Sequence, residues 1–351
     1  MPNQDLTELA ESFTRFAEAC REASPLYEQF CLNIAADEEI LSLASESVAS
    51  PRVNLLLAAV QYLLLKGYVD KLSRYYPNLA TAGDVTLQMR FDPYPSFKQF
   101  CLKNKSQILS LLKTRLVQTN EVNRCALLYP AFNHVAKRAN GKPLAFIEIG
   151  SAAGFNLLFD SYAYDYGLKT QYGKANSPIL LNCQLQGKLL PTLSTEPAAI
   201  DSRTGIDLNP LDINNADDVL WLKALIWPEQ KARQERLNAV IAYAKEIYPR
   251  QMPTMLKGDA LDLLPDVLNN TAHSICLFHS HTLNQFSDEA RLDSLVRKTA
   301  QEKDVFVISL EWLSQSTSKL ELKELAKDKE KQSRLALCDQ RGQWLEWLAE
   351  D

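Results

Sequence analysis

The chain has 351 residues, 46% of them apolar, and 38 basic against 43 acidic side chains give a formal charge of −5. That is enough chain for about two domains with proper cores. The acidic balance argues against a nucleic-acid partner held by phosphate neutralisation. Seven scattered cysteines, an odd number with no C-x-x-C pair, suit reduced, buried thiols in a cytoplasmic protein.

The first twenty residues carry Asp5, Glu8, Glu11 and Glu18, so no export signal is expected. Residues 1–140 read as helical. Leu6, Leu9, Phe13, Phe16 and Cys20 recur at helical spacing, and a second periodic run lies between Leu26 and Leu43. Ser50-Pro51 opens the next helix and Lys66-Gly67 closes it. The run Val53–Leu65 inside it is too short and too polar, with Asn54 and Gln61, to cross a bilayer, so no membrane association is expected. Residues 77–95 are rich in Pro, Gly and Asp and read as a loop. The helical period resumes over 97–139, with Pro130 marking a break or kink. Within that stretch the polar run Gln118–Arg124 sets Asn120, Asn123 and Arg124 near one helical face, with Glu121 adjacent. Such a cluster suits a substrate or a cofactor carboxylate, with Arg124 as counter-ion, or merely joins two domains.

The turn Asn140-Gly141-Lys142-Pro143 marks the expected boundary between a helical domain of residues 1–140, the substrate side, and an α/β domain of 141–351. Beyond it strands are predicted at 144–149, 204–207, 254–258, 274–279 and 304–311, with helical patterns between most of them, which implies a mainly parallel sheet covered on both faces. Residues 163–203 are too long for an ordinary connection and read as an insertion. The Lys/Glu-rich stretch 319–334 reads as a solvated helix, and 334–348 as two antiparallel strands around Gln340-Arg341-Gly342.

Chemistry concentrates at residues 144–160. A short apolar run ends in Glu148, Gly150 and Gly154 follow, and an apolar helical pattern begins. Glycines let backbone approach a ligand closely, and a helix start offers N–H groups. A nicotinamide G-x-G-x-x-G fails because Ala152 and Phe155 occupy its later positions, and a P-loop fails at Phe155-Asn156. The remaining pattern, acid-x-Gly-x-x-x-Gly-x-Asn, resembles the first motif of class I S-adenosylmethionine-dependent methyltransferases. The resemblance implies that Glu148, Gly150, Ser151, Gly154 and Asn156 hold the cofactor. Asp207, ending the second strand, then takes the ribose hydroxyls or caps a turn before Pro210. Asp259-Ala260, after the third strand, lies near the adenine or starts a helix as its N-cap.

His279-Ser280 ends the fourth strand, facing the transferred methyl in that architecture. His279 is the candidate base and Ser280 a substrate-orienting hydroxyl, though a structural histidine fits as well. Cys276-x-x-His279-x-His281 suggests a metal only if the strand continues past 280, and no metal is expected. The Asp/Asn-Pro-Pro-aromatic signature of amino-directed methyltransferases is missing from this position, which points away from a nitrogen acceptor.

Most of the chain, from about residue 10 onward, also resembles a bacterial family catalogued as a domain of unknown function. The resemblance is carried by Gln118–Arg124, Glu148–Tyr166, Gly205-Ile206-Asp207 with Pro210-Leu211-Asp212, Trp227-Pro228-Glu229-Gln230, Gly258-Asp259-Ala260 and His279-Ser280. It implies a Rossmann-like methyltransferase sheet with a C-terminal antiparallel hairpin and an N-terminal all-helical domain. The functional expectation is methyl transfer from S-adenosylmethionine to a small-molecule oxygen, carboxyl or thiol acceptor. A non-catalytic nucleoside sensor or scaffold is the second expectation and a metal-dependent hydrolase the third. Oligomeric state is left open.

Overall fold

The structure is a computed structural model that describes residues 4–81, 91–118, 121–283, 288–314, 316–327 and 329–350. Among the described residues six α-helices come first: α1 (Gln4–Cys20), α2 (Pro25–Ile34), α3 (Glu38–Ser45), α4 (Arg52–Leu65), α5 (Tyr94–Lys103) and α6 (Lys105–Thr114). After α7 (Cys125–Arg138) come β1 (Leu144–Ile149) and four short strands, β2 (Ala163–Asp165), β3 (Tyr172–Gly173), β4 (Leu180–Asn182) and β5 (Gln184–Gln186). Next are β6 (Ile200–Asp207), α8 (Ala216–Ala224), α9 (Lys231–Gln251), β7 (Thr254–Lys257), α10 (Ala260–Asn269), β8 (Ser274–Ser280) and α11 (Glu289–Thr299). The chain closes with β9 (Val305–Trp312), β10 (Thr317–Ala326), β11 (Lys329–Asp339) and β12 (Trp344–Trp347).

Two compact units result: Met1–Thr119 with Ile213–Leu237, and Asn120–Asp212 with Asn238–Asp351. The division falls before α7 rather than at the Asn140–Pro143 turn, and it returns 25 residues of the later sequence to the first unit.

In the first unit α4 is apolar nearly all round, which marks a helix enclosed on every side. Its buried amide, Gln61, explains why residues 213–237 belong there. Gln61 Nε2 donates to the carbonyls of Ala224 (3.1 Å) and Ile226 (2.6 Å), and its Oε1 accepts from Tyr27 (3.2 Å). Trp221 is fully buried and donates its indole N–H to Leu116 O at 2.9 Å. In the Trp227–Gln230 motif, Trp227 packs on Phe16 and Tyr27, while Glu229 accepts from Leu26 N at the start of α2.

The second unit is built on a nine-stranded sheet of order β5-β12-β11-β10-β9-β8-β1-β6-β7. The run β9-β8-β1-β6-β7 is parallel, and β10, β11 and β12 extend it as an antiparallel meander. Every residue of β1 is buried, as a central parallel strand with both faces covered requires. On one face α7 packs Phe132 against Phe146, Phe278 and Phe159. Leu261, Leu264 and Leu268 of α10 and Leu292 and Val296 of α11 join Ile147, Ile149 and Leu277 in another cluster.

Three expectations need correction. The helix α7 runs through Pro130 without interruption. The second concerns the turn after β1, which opens onto a seven-residue 3-10 segment, Phe155–Ser161, and not an α-helix. Its carbonyls are taken by side chains: Tyr162 donates to Phe155 O, Tyr164 to Phe159 O, and Arg203 to Leu157 O. With those acceptors engaged, an i→i−4 ladder has little to build on. Third, residues 319–334 are not a helix but most of the β10–β11 hairpin. Its Leu320 and Leu322 are buried at alternate positions between charged residues, the two-residue period of a strand.

Residues 163–203 contain β2, β3 and β4, which form a separate small sheet of order β3-β2-β4, and β5, which joins the edge of the large one beside β12. No helix among the described residues is long and apolar enough to cross a membrane.

Candidate functional site

Chain order along the parallel strands runs β7-β6-β1-β8-β9, so successive crossovers proceed outward on one side of β1 and then reverse to the other. The reversal lies between β1 and β8, and in open α/β sheets ligands bind outside the carboxyl ends at such a point. Register places Ile149 opposite Ile206 and His279, and Ser280 opposite Leu310. The ends of β1, β6, β8 and β9 therefore share one edge.

Glu148 is 1% exposed. Its Oε1 accepts from Asn156 Nδ2 at 2.7 Å, while Oε2 is buried without a hydrogen-bond partner among the described residues. Burial pushes the carboxyl up to about 8, Asp207 adding to the rise while the Asn156 bond and the charge of Arg124 oppose it. At neutral pH the group is therefore mostly protonated and can donate as well as accept.

The turn after β1 is tight. Gly150, Ala152 and Gly154 all have positive φ, and a Cβ on Gly150 would lie 2.5 Å from Thr282 Oγ1. Its amides are largely used internally: Gly150 N and Ser151 N reach Ile206 O, Ala152 N reaches Asp207 Oδ2, and Gly154 N reaches Ser151 O. Together with the 3-10 segment, this removes the N–H cluster that an α-helix start would have offered. Ser151 is fully buried beside Gly205, whose own Cβ would meet Ser151 Oγ at 2.6 Å.

Asp207 ends β6 and serves the loops. Its Oδ2 accepts from Ala152 N and its Oδ1 from Asn209 N, both at 2.8 Å. Asp259 is exposed and is the N-cap of α10, accepting from Leu261 N at 2.8 Å, with Ala260 as the first helical residue.

The polar run before α7 divides. Asn120 lies outside the described residues. Glu121 accepts from Asn123 N. Asn123 donates its Nδ2 to Asn182 O (3.0 Å) and Gly342 O (2.8 Å), which fastens the β11–β12 turn. Asn123 thus fastens backbone in this geometry. Arg124 is placed otherwise: Nε donates to Gln340 O at 3.1 Å, and one guanidinium nitrogen reaches Ser280 Oγ at 3.4 Å.

His279 is 2% exposed, and its Nδ1 meets Glu311 Oε1 at 2.7 Å. Glu311 ends β9 and was not anticipated. The same oxygen accepts from Thr282 N (3.0 Å) and Leu283 N (3.2 Å). Burial alone would raise the Glu311 carboxyl, but the His279 bond and charge and the two amides hold it below the usual range. The available signal was its position: an acid at the end of the fifth parallel strand, as Glu148 ends the first.

β8 stops at Ser280 and His281 turns left-handed, φ +54, so 279 and 281 do not continue one strand face. Neither ring nitrogen of His281 has a partner among the described residues, and its ring lies 4.5 Å from that of Trp312. Burial, then the Arg124 charge, with a smaller contribution from His279, pulls the imidazole down to about 3 against the attraction of Glu311. No group of three or more His, Cys, Asp or Glu among the described residues is arranged to hold a metal ion. All seven cysteines are buried and none forms a disulfide.

Residues 10–347 match a family described as "Uncharacterized protein conserved in bacteria (DUF2332)". The chain belongs to that family. No curated protein matches the sequence.

Proposed function

We propose that this member of the family is an S-adenosylmethionine-dependent methyltransferase for a small oxygen, carboxyl or sulfur acceptor, with a Rossmann-like sheet and an N-terminal helical domain. Glu148 carries the reading. It lies at the end of the central strand beside the reversal of chain order and keeps one buried oxygen without a partner among the described residues. Buried polar atoms are rarely left so, and a hydroxyl or ammonium group of an adenosyl cofactor would satisfy this one. The parallel strands, counted along the chain, run 3-2-1-4-5, the first five places of the dinucleotide-fold order, which supports the same reading.

When bound, S-adenosylmethionine supplies an electrophilic methyl on a sulfonium. The protein's own part is to align and to exclude water. Glu148 and Asp207 are the groups that would hold it. Asp207 accepts two loop amides and sets its carboxylate at the same edge, at the end of β6. His279, with Nδ1–H donated to Glu311, keeps Nε2 as the acceptor for a substrate proton. Arg124 and Ser280 present a cation and a hydroxyl beside it.

A second reading, a non-catalytic binder of the same cofactor, is favoured by one observation: Glu311 ties His279 into the backbone of the following loop, as a structural histidine would be tied.

Calorimetric titration with S-adenosylmethionine and S-adenosylhomocysteine tests the site. Wild type is expected to give heat, with affinity at least about tenfold weaker in Glu148→Gln and lost in Gly150→Val. No heat from wild type removes both readings. Incubation with isotope-labelled cofactor and a metabolite extract, read by mass spectrometry, separates enzyme from binder.

A further inference from the structure

We infer that residues 281–283 form a strap, latched by Glu311 across the Gly150 face of the β1 turn, which must lift before a ligand can rest on that turn. The latch is a single atom. Glu311 Oε1 accepts from His279 Nδ1 at 2.7 Å, Thr282 N at 3.0 Å and Leu283 N at 3.2 Å. The covering group is the Thr282 side chain. Its Oγ1 donates to Ser280 O at 3.2 Å and lies 3.5 Å from Ile149 O, so it spans the ends of β8 and β1 where chain order reverses. Its Oγ1 and Cγ2 would be 2.5 and 2.8 Å from a Cβ on Gly150. On this account Gly150 lacks a side chain so that Thr282 can close over it.

The closed strap carries costs confined to itself. His281 holds a left-handed backbone that non-glycine residues seldom adopt, and both its ring nitrogens are buried without partners among the described residues. Lifting relieves both, since the backbone can relax and water can reach the ring. The charge-assisted bonds to Glu311 oppose it, together with the His281 N–H bond to Leu310 O. A strap with internal penalties, held from outside by the Glu311 latch and by the His281 N–H bond to Leu310 O at 2.8 Å, has two accessible states, as a gate requires.

The inference rests on the proposed function only for its choice of probe. Amide exchange at Thr282 and Leu283 reads the latch without any ligand. Glu311→Gln keeps the shape and loses the charge, and exchange at these two amides is expected to rise about tenfold while central β8 and β9 amides stay protected. Glu311→Asp, which shortens the reach by one methylene, serves if the amide variant does not fold. Unchanged exchange overturns the latch. Thr282→Gly keeps Glu311 and uncovers Gly150, and its stopped-flow association rate with S-adenosylhomocysteine is expected to rise about tenfold. A rate equal to wild type overturns the strap as a barrier. If neither protein binds the probe, the cofactor reading fails, and the exchange measurement still decides the latch.

Discussion

Tyr166 donates its hydroxyl to the carbonyl of Ala126 at 2.8 Å. That carbonyl is the one that would accept from residue 130, where proline has no N–H to give. A side chain from beyond β2 thus repairs the helix that packs on β1, and α7 passes through Pro130 intact.

The repair predicts non-additive stability. Tyr166→Phe leaves a buried acceptor unsatisfied and is expected to cost about 1–3 kcal/mol by urea denaturation. Pro130→Ala restores a backbone donor to the same carbonyl, so the tyrosine change should cost about 1 kcal/mol less in that background. Purely additive losses would show that the hydroxyl does not serve the helix.

Much of this unit is legible in the amino-acid pattern, and the misses have physical causes. β1, β8 and β9 announce themselves as short apolar runs because they are largely buried, whereas β6 and the edge strand β7 carry polar, partly exposed residues. Phe155–Ser161 is apolar enough for a helix, yet the side chains of Tyr162 and Tyr164, just beyond it, and of Arg203, 46 residues away, claim its carbonyls. In β10 and β11 the lysines and glutamates conceal an alternation that only a count at period two exposes. Asn123 looks like a ligand residue because it is polar amid apolar neighbours. Its actual partners, Asn182 O and Gly342 O, are 59 and 219 residues away. Glu311 is hidden by the reverse effect, since an acid closing an apolar strand reads as the point where solvent begins.

Glu148 should make the protein less stable as pH rises. In the unfolded chain its carboxyl loses its proton near the ordinary 4.5, and in the folded chain near 8. Between those values the folded state holds the extra proton, so stability is full below about 4.5 and declines toward 8. The slope is at most about 1.4 kcal/mol per pH unit. Glu148→Gln, neutral throughout, is expected to abolish this component, so the wild-type and variant stability curves converge at low pH and separate toward pH 8. Parallel curves across that window would mean that the acid is ionised in the fold.

His281 should act in the opposite direction. Its unfolded imidazole takes up a proton near 6.5 and its folded one only near 3, so its contribution is present above 6.5 and lost as pH falls toward 3. His281→Asn tolerates the left-handed backbone and removes the titration, and is expected to flatten the acid limb of the stability curve. Between about 4.5 and 6.5 the two residues' slopes cancel, which predicts a stability plateau there, measurable by thermal melts in matched-ionic-strength buffers. An acid limb unchanged in the asparagine variant would show that the buried ring is protonated in the fold.

Gln61 offers the sharpest test in the first unit, because one buried amide ties several partners together. It donates to Ala224 O and Ile226 O and accepts from Tyr27. Gln61→Leu keeps volume within α4 but strands two carbonyls and a hydroxyl, and about 2–4 kcal/mol of destabilisation is expected. Gln61→Glu is the more telling change. When ionised it turns an anion toward two carbonyl oxygens and loses both donors, and when protonated it recovers one. Its stability should therefore improve relative to wild type as pH falls, while the leucine variant shows no such trend. Hydrogen exchange in α8, where Ala224 is the last residue, should accelerate in both variants if the amide is what secures residues 213–237 to the first unit.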